Sequence, residues 1–305
     1  MSVLSSFPAM PNRIAITCEY LHYLGPEGDE RSNIEAQLSP LKKPEAEDGT
    51  SSGSTIATAV LNEMIALKMV VSAPDGRYKL ADDIRTLWVD NVEWSDLLRP
   101  TLMRRLLYPE CADEFKQEEV HEAIAWLLCQ SPYEPMPRSG AGGVHVERID
   151  RQFGGDEPLR GWIGNNSKYQ NLLYWARYFG LAEWTKSGDE IVVIPDPTLA
   201  LERNLTAIFN DTTEISIGDF RSRLHTLCPV FEGGSARQAV ESRMKAECQT
   251  RPGDLSLSTS FALRRLKLRG VVSFKSDSDG VMLVLNYGRK SEAVSHVCFN
   301  PGEKN

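Results

Sequence analysis

The stretch "STSFALRRLKLRGVVSFKSDSDGVMLVL" (residues 258–285) joins a basic helical pattern to two β-like segments. Leu263 and Leu266 are three residues apart, which places them on one face of a helix. Short segments rich in Val, Leu and Phe flank Asp279-Gly280, a pair typical of a hairpin turn. The stretch therefore predicts a helix that runs directly into a two-stranded hairpin.

Two earlier stretches share this skeleton. They read "STIATAVLNEMIALKMVVSAPDGRYKLAD" (54–82) and "SKYQNLLYWARYFGLAEWTKSGDEIVVI" (167–194). Leu61 and Leu173 align with Leu263, and each is followed by apolar residues at helical spacing. The turn signals of the two copies are Asp75-Gly76 and Gly188-Asp189. The chain therefore contains one unit in three copies, and each aligned Leu is expected in its own core.

Each copy has two further helical patterns upstream of it. The six segments are "RIAITCEYLHYL", "RSNIEAQLSPL", "EEVHEAIAWLLCQ", "HVERIDRQFG", "GDFRSRLHTLCPVF" and "SARQAVESRMKAE". Pro40 ends the second of them, because proline cannot continue a helix. Three helices followed by a hairpin make a winged helix-turn-helix. We therefore predict an α+β fold, mostly helical, with three winged helix-turn-helix units in tandem.

Spacers rich in Pro, Gly and Ser lie inside the first and second units, as "KKPEAEDGTSSGS" and "SPYEPMPRSGAGG". The segment "DIRTLWVDNVEWSDLLRPTLMRRLLYPE" joins these two units, and its Leu and Trp pattern indicates packed helices. The predicted divisions are 12–85 for unit 1, 86–117 for a helical linker, 118–216 for unit 2, 217–290 for unit 3 and 291–305 for a tail.

Charge is distributed unevenly among these units. The whole chain carries a formal net charge of −8. Residues 217–290, however, contain 13 Lys and Arg against 7 Asp and Glu, a net of +6, while units 1 and 2 are acidic. Unit 3 alone therefore has a balance suited to a polyanion such as DNA.

In winged helices the third helix lies in the major groove and the hairpin contacts the neighbouring backbone. The candidate DNA-binding residues of unit 3 are Arg264, Arg265, Lys267, Arg269, Lys275, Arg237 and Arg243. The equivalents of Arg264-Arg265 are Asn62-Glu63 in unit 1, where Glu63 would repel phosphates, and Tyr174-Trp175 in unit 2, which suit a protein contact. The alternative for the basic helix is a solvated face that only aids solubility.

No pattern indicates catalysis, a metal or a cofactor. The six Cys and five His lack the spacing of a zinc site or a disulfide framework. The glycine-rich segments lack the Lys-Ser/Thr of a phosphate loop, and Asp150 and Asp156 lack the strand context of a nuclease. No apolar run is long enough for a membrane helix, and the N-terminus is unlike a secretory signal. We therefore expect a cytoplasmic protein that is not an enzyme, with no small-molecule substrate.

The opening "MSVLSSFPAMPNRIAITCEYL", the Ser39-Pro40 end of the second helix and the Asp75-Gly76 hairpin resemble the DpdG-type proteins. These are accessory components of bacterial clusters that insert 7-deazaguanine derivatives into DNA and restrict foreign DNA. The resemblance implies a role beside nucleases, helicases or ATPases in anti-phage defence. It supplies no catalytic motif.

Two classes of function follow. The first is a non-catalytic subunit that recruits a defence complex to duplex DNA through unit 3. The second is a scaffold or adaptor whose winged helices bind proteins, and a transcriptional regulator is a further alternative. The expected partners are duplex DNA and other subunits of a defence complex.

Overall fold

A computed structural model describes residues 2–5, 9–39, 52–115, 117–155, 157–277 and 280–301. The fold is α+β and mostly helical, with small antiparallel sheets, as predicted. The chain divides into two compact units, Met1–Leu106 with Glu110–Glu118 and Leu107–Pro109 with Glu119–Asn305. Among the described residues, no helix is both long and apolar enough to cross a membrane.

Helices make up most of the first unit. They are α1 (Pro11–Tyr23), α2 (Arg31–Leu38), α3 (Ser52–Ala66), α4 (Asp82–Arg85), α5 (Trp94–Leu97), α6 (Arg99–Leu107) and α7 (Pro109–Phe115). Pro11 opens α1, where its fixed φ suits a first turn. Ile14, Cys18 and Leu21 are fully buried along one face, so the predicted first helix is confirmed. The predicted stop at Pro40 lies outside the described residues.

A hairpin follows α3 in the first unit. Strands β1 (Val70–Ser72) and β2 (Tyr78–Leu80) pair antiparallel, with Val70 opposite Leu80. Gly76 has a φ of 84° in the turn between them, which favours glycine. Leu61 is fully buried on α3. The helix and hairpin predicted for this stretch are therefore confirmed.

The segment predicted as a helical linker (86–117) forms α5 to α7. Trp94 and Leu102 are buried. Arg105 donates from Nη1 to the Leu67 carbonyl at 2.6 Å and also pairs with Asp83. Apart from residues 107–109, these helices belong to the first compact unit instead of spacing two units apart.

The second unit contains a longer series of helices. They are α8 (Glu118–Cys129), α9 (Val144–Gln152), α10 (Pro158–Ile163), α11 (Asn166–Tyr178), α12 (Thr198–Phe209), α13 (Ile217–Leu227), α14 (Ser235–Glu241) and α15 (Leu257–Leu268), with 3-10 turns at Ala141–Gly143 and Ala246–Cys248. Helices α8, α9, α13 and α14 confirm the four helices predicted here. Leu173 on α11 and Leu263 on α15 are fully buried, as expected.

One sheet of the second unit has the order β3-β5-β4. Its strands are β3 (Met136–Pro137), β4 (Glu183–Ser187) and β5 (Glu190–Ile194). Strands β4 and β5 form an antiparallel hairpin, and Gly188 takes a φ of 61° in its turn. The predicted Gly188-Asp189 hairpin is therefore confirmed.

The strands after α15 pair differently from the prediction. They are β7 (Val272–Lys275), β8 (Leu283–Asn286), β9 (Ser291–Val294) and β10 (His296–Phe299), with β6 (Glu214–Ser216) preceding α13. Strand β10 lies between β6 and β7, and β8 pairs with β9. The chain reverses at Tyr287, whose N–H donates to the Lys290 carbonyl at 2.7 Å.

The predicted hairpin at Asp279-Gly280 is therefore wrong. Strand β7 takes β10 as its partner because Val297, fully buried, lies opposite Phe274 and completes the apolar side of that sheet. Asp279 itself lies outside the described residues. The predicted tail (291–305) is also wrong over 291–299, since this segment supplies β9 and β10.

The predicted boundary between residues 216 and 217 falls inside the second compact unit. Helix α12, which precedes that boundary, packs against α13 and α15, which follow it. The ring of Phe209 lies 6.2 Å from that of Phe220 and 5.3 Å from that of Phe299. These aromatic contacts join the two sides of the predicted boundary in one core.

Candidate nucleic-acid interface

Helix α15 is set by local signals at both ends. The side chain of Ser256 accepts a hydrogen bond from the Thr259 N–H at the start of the helix. Gly270 follows the helix with a φ of 74°, which favours glycine at a helix end. Leu263 and Leu266 are fully buried, so the side chains between and beyond them point outward. Arg264, Arg265, Lys267 and Arg269 are all exposed, as expected for a basic face.

Four of the predicted cations contact a carboxylate of the same unit. Arg265 pairs with Asp196, Lys267 with Glu292 at 2.7 Å, Arg269 with Glu202 at 2.6 Å and Lys275 with Glu214 at 2.5 Å. The hydrogen bond that Arg269 donates to Glu202 raises the pKa of Arg269, and the one that Lys275 donates to Glu214 raises the pKa of Lys275. All four carboxylates lie outside 217–290, so the positive balance of that segment is largely offset in the folded unit.

Two other predicted DNA-binding residues, Arg237 and Arg243, donate hydrogen bonds to carboxylates within the second unit. Arg237 is only 1% exposed, and its Nε donates to Glu241 at 2.9 Å. The prediction that it contacts DNA is therefore wrong, because a buried guanidinium cannot reach a phosphate. Arg243 is half-buried and donates to Glu122 at 2.5 Å and to Glu157 at 3.1 Å. Its N–H groups are thus directed to carboxylates inside the unit.

Arg264 differs from its neighbours. Its guanidinium carbon lies 5.0 Å from the centre of the Tyr287 ring, in the turn of the β8–β9 hairpin. Arg289 and Lys290 are exposed in the same turn. Within the part of the chain that the structure describes, these three cations form no ion pair. The hairpin turn and the adjacent helix thus present three positive charges without a carboxylate partner among the described residues.

Arg289 and Lys290 were not among the predicted site residues. The predicted hairpin ended at residue 285, which left them outside it. The usable signal is the sequence Tyr-Gly-Arg-Lys itself, because glycine between two apolar segments indicates a turn. A turn at Gly288 would have placed both cations at the end of a wing.

The equivalent positions in the other two copies have different environments. The Asn62 side chain accepts from Arg31 at 2.6 Å, and Glu63 is buried and accepts from Gln117 at 2.8 Å. Trp175 is 1% exposed, so the expected protein contact through this residue is wrong. Tyr174 is half-buried. The repeated helices therefore use this position differently in each copy.

Of Asp150 and Asp156, the two acids that a nuclease would use, the structure describes only Asp150. Asp150 pairs with Arg160 at 2.7 Å, while Asp156 lies outside the described residues. Among the residues described, no three His, Cys, Asp or Glu side chains are grouped so that they could hold a metal ion. The absence of catalysis stays a prediction.

A comparison with protein families places this arrangement in context. The family model described as DpdG-like matches residues 1–280. The chain belongs to the DpdG-like family. No curated protein and no solved structure matches it. The match covers the first unit and the second unit as far as β7, and it ends before β8. The resemblance seen in the opening residues therefore extends over most of the chain.

Proposed function

We propose that this DpdG-like protein is a non-catalytic DNA-binding subunit that recruits a bacterial defence complex to duplex DNA. The observation that carries the proposal is the group of three unpaired cations, Arg264, Arg289 and Lys290, on α15 and the adjacent hairpin turn. The family links the chain to a DpdG-associated system. Modification of DNA with 7-deazaguanine derivatives and restriction of foreign DNA are the processes that such a subunit would serve.

The order of elements supports a winged-helix mode of binding. Helix α15 leads into β7, and the β8–β9 hairpin lies between β7 and its partner β10. In this mode α15 enters the major groove and the hairpin contacts the phosphate backbone. Arg289 and Lys290 are then the backbone contacts, and Arg264 lies between backbone and groove. The proposed DNA contacts therefore lie mainly in the hairpin turn, whereas the sequence predicted them mainly on α15.

The paired cations contribute less to this surface. An exposed ion pair is worth about 0–1 kcal/mol, so a phosphate could displace the carboxylate of Lys267 or Arg269 at small cost. Such an exchange leaves an unpaired carboxylate close to the DNA, which repels it. Asp196 is itself buried, so its pairing with Arg265 is the hardest to exchange.

The test compares two variants of equal charge change. Arg264→Gln, Arg289→Gln and Lys290→Gln together should weaken binding to arbitrary duplex DNA. The slope of log K against log salt should fall by about three, at about 0.9 per phosphate contact. The matched control replaces Lys68, Arg77 and Arg85 by Gln in the first unit, where each lies in an exposed ion pair. We call the Arg264, Arg289 and Lys290 triple substitution the hairpin variant. Equal binding of duplex DNA by the parent protein and the hairpin variant would rule out this surface.

The scaffold alternative is favoured by a different observation. Tyr23 is 92% exposed and Ile16 is 55% exposed. They are seven residues apart on α1 and so share one helix face. Exposed apolar side chains on one face are typical of a protein contact. If the parent protein fails to bind duplex DNA even at low salt, the scaffold becomes the better account.

A further inference from the structure

A second group of cations and aromatic rings lies on α11, on β4 and directly after β3. The guanidinium carbon of Arg138 lies 4.1 Å from the centre of the Trp184 ring, and that of Arg177 lies 4.6 Å from it. Tyr174 meets Trp184 edge-on, with ring centres 5.1 Å apart, and its hydroxyl accepts from Arg138 at 2.5 Å. We call Arg138, Tyr174, Arg177 and Trp184 the Trp184 cluster.

The Trp184 cluster carries positive charge that is only partly neutralised. Arg177 pairs with Glu183 at 3.3 Å, and both side chains are half exposed. Arg138 has no carboxylate partner among the described residues. Lys186 is exposed and stands two residues after Trp184 on β4, so it extends from the same face of the hairpin. The Nε of Arg138 is buried and its Nη2 donates to the Tyr174 hydroxyl, so Nη1 is the donor of Arg138 that remains for an anion. Lys186 adds an exposed charge beside it.

Stacking on an aromatic ring leaves a guanidinium able to bind phosphate. The attraction between the cation and the ring acts through the guanidinium face. The N–H donors of the guanidinium lie in its plane, where phosphate oxygens accept them. A stacked arginine is also held in one orientation, which lowers the entropy lost on binding. The Trp184 cluster is therefore suited to an oxyanion as well as to packing.

A short segment connects this cluster to the hairpin turn at Tyr287. The ring of Tyr133 lies beside Gly288 and meets the ring of Phe261 on α15 edge-on, with centres 5.8 Å apart. Arg138 follows Tyr133 by five residues, so their Cα atoms are at most about 18 Å apart. This upper limit is shorter than one turn of DNA, which rises about 34 Å. A duplex of about two turns is therefore long enough to reach from the Tyr133 side of α15 to Arg138.

We propose that Arg138 and Lys186 form a second phosphate-binding site for the DNA duplex that occupies α15 and the β8–β9 hairpin. This inference rests on the proposed function. It assigns contacts with the DNA phosphate backbone to unit 2, where the sequence indicated a protein contact through Tyr174 and Trp175. The first unit also has an arginine beside an aromatic ring, since the guanidinium carbon of Arg31 lies 6.0 Å from the centre of the Tyr78 ring. Arg31 pairs with Glu35, however, so its charge is neutralised.

The experiment uses the full chain and one duplex of about 20 base pairs of arbitrary sequence. Arg138→Gln with Lys186→Gln should lower the slope of log K against log salt by about two, and affinity should fall in proportion at moderate salt. Glutamine keeps a planar amide beside Trp184 and a donor for Tyr174. Lys68→Gln with Arg85→Gln changes the net charge equally in the first unit and should retain the parental slope.

Lys186→Gln alone provides a variant that leaves the packing around Trp184 untouched. It should lower the slope by about one. The hairpin variant tests the proposed function, and R138Q/K186Q and K186Q test the second site. If the hairpin variant binds DNA more weakly than the parent but the other two variants keep the parental slope, the second site is wrong and the proposed function stands. If the parent never binds duplex DNA, both are overturned.

Discussion

Arg237 shows how one residue can carry a positive charge without contributing to a charged surface. It lies on α14 with 1% of its surface exposed, and Glu241 one turn later accepts from its Nε. Thr250 adds a further hydrogen bond at 3.3 Å. A buried charge that keeps these partners is tolerated, whereas the loss of one partner leaves the other desolvated and unpaired. Arg237 therefore has a structural role: it neutralises Glu241 within α14 and bonds this helix to Thr250.

Arg237→Ala should lower the free energy of unfolding by about 3–5 kcal/mol, because it leaves Glu241 without its cation in a partly buried site. Chemical denaturation followed by circular dichroism measures the change. Arg251→Ala is the control, since Arg251 is exposed, and it should change stability by about 0.5 kcal/mol or less. A stable Arg237→Ala protein with weakened DNA binding would contradict the structural role.

At the scale of elements, β10 determines how the end of the chain folds. It is the middle strand of the β6-β10-β7 sheet, and it donates and accepts backbone hydrogen bonds on both sides. Val294 and Val297 are fully buried. Since a middle strand satisfies the backbone groups of two neighbours, its removal exposes both of them. Residues 291–299 are therefore part of the folded second unit.

A chain that ends after Lys290 should lose the cooperative unfolding of the second unit, because β6 and β7 would have no partner between them. A chain that ends after Pro301 should unfold at the parental temperature, since β10 remains intact. Differential scanning calorimetry distinguishes the two. Parental unfolding of the shorter chain would show that 291–299 is a tail after all.

At the scale of the molecule, the second compact unit spans what the sequence divides into two repeats. Phe209 on α12 packs against Phe220 and Phe299, which lie on the other side of the predicted boundary. Asp196 and Glu202, also before that boundary, pair with Arg265 and Arg269. The two repeats thus share one core and one set of ion pairs.

A fragment of residues 119–305 should therefore fold and unfold cooperatively, whereas 217–305 should not, because it lacks α12 and also Asp196 and Glu202, which pair with Arg265 and Arg269. Circular dichroism and urea denaturation of both fragments test this. A sharp unfolding transition in the shorter fragment would restore the boundary at 216/217. The same fragment would then carry an uncompensated positive charge.

The sequence by itself determined the features that depend on neighbouring residues. The helical periods of α1, α8, α13 and α15 and the two hairpin turns at Asp75-Gly76 and Gly188-Asp189 are all specified within a few residues. The exposed face of α15 also followed from the spacing of Leu263 and Leu266. Helical periodicity and turn conformation are local properties, so they can be predicted from short segments.

Only the tertiary structure decided which strands pair and which charges remain free. Strand β7 could have paired with β8 or β10 on local pattern alone, and the choice depends on apolar surface that Val297 buries in the folded unit. Asp196 reaches Arg265 across 69 residues of sequence. Contacts between residues that are distant in sequence depend on how the whole unit packs. A count of charges along one segment therefore does not predict which of them form ion pairs. Among the described residues of α15 and the β8–β9 turn, the cations without an ion pair are therefore Arg264, Arg289 and Lys290.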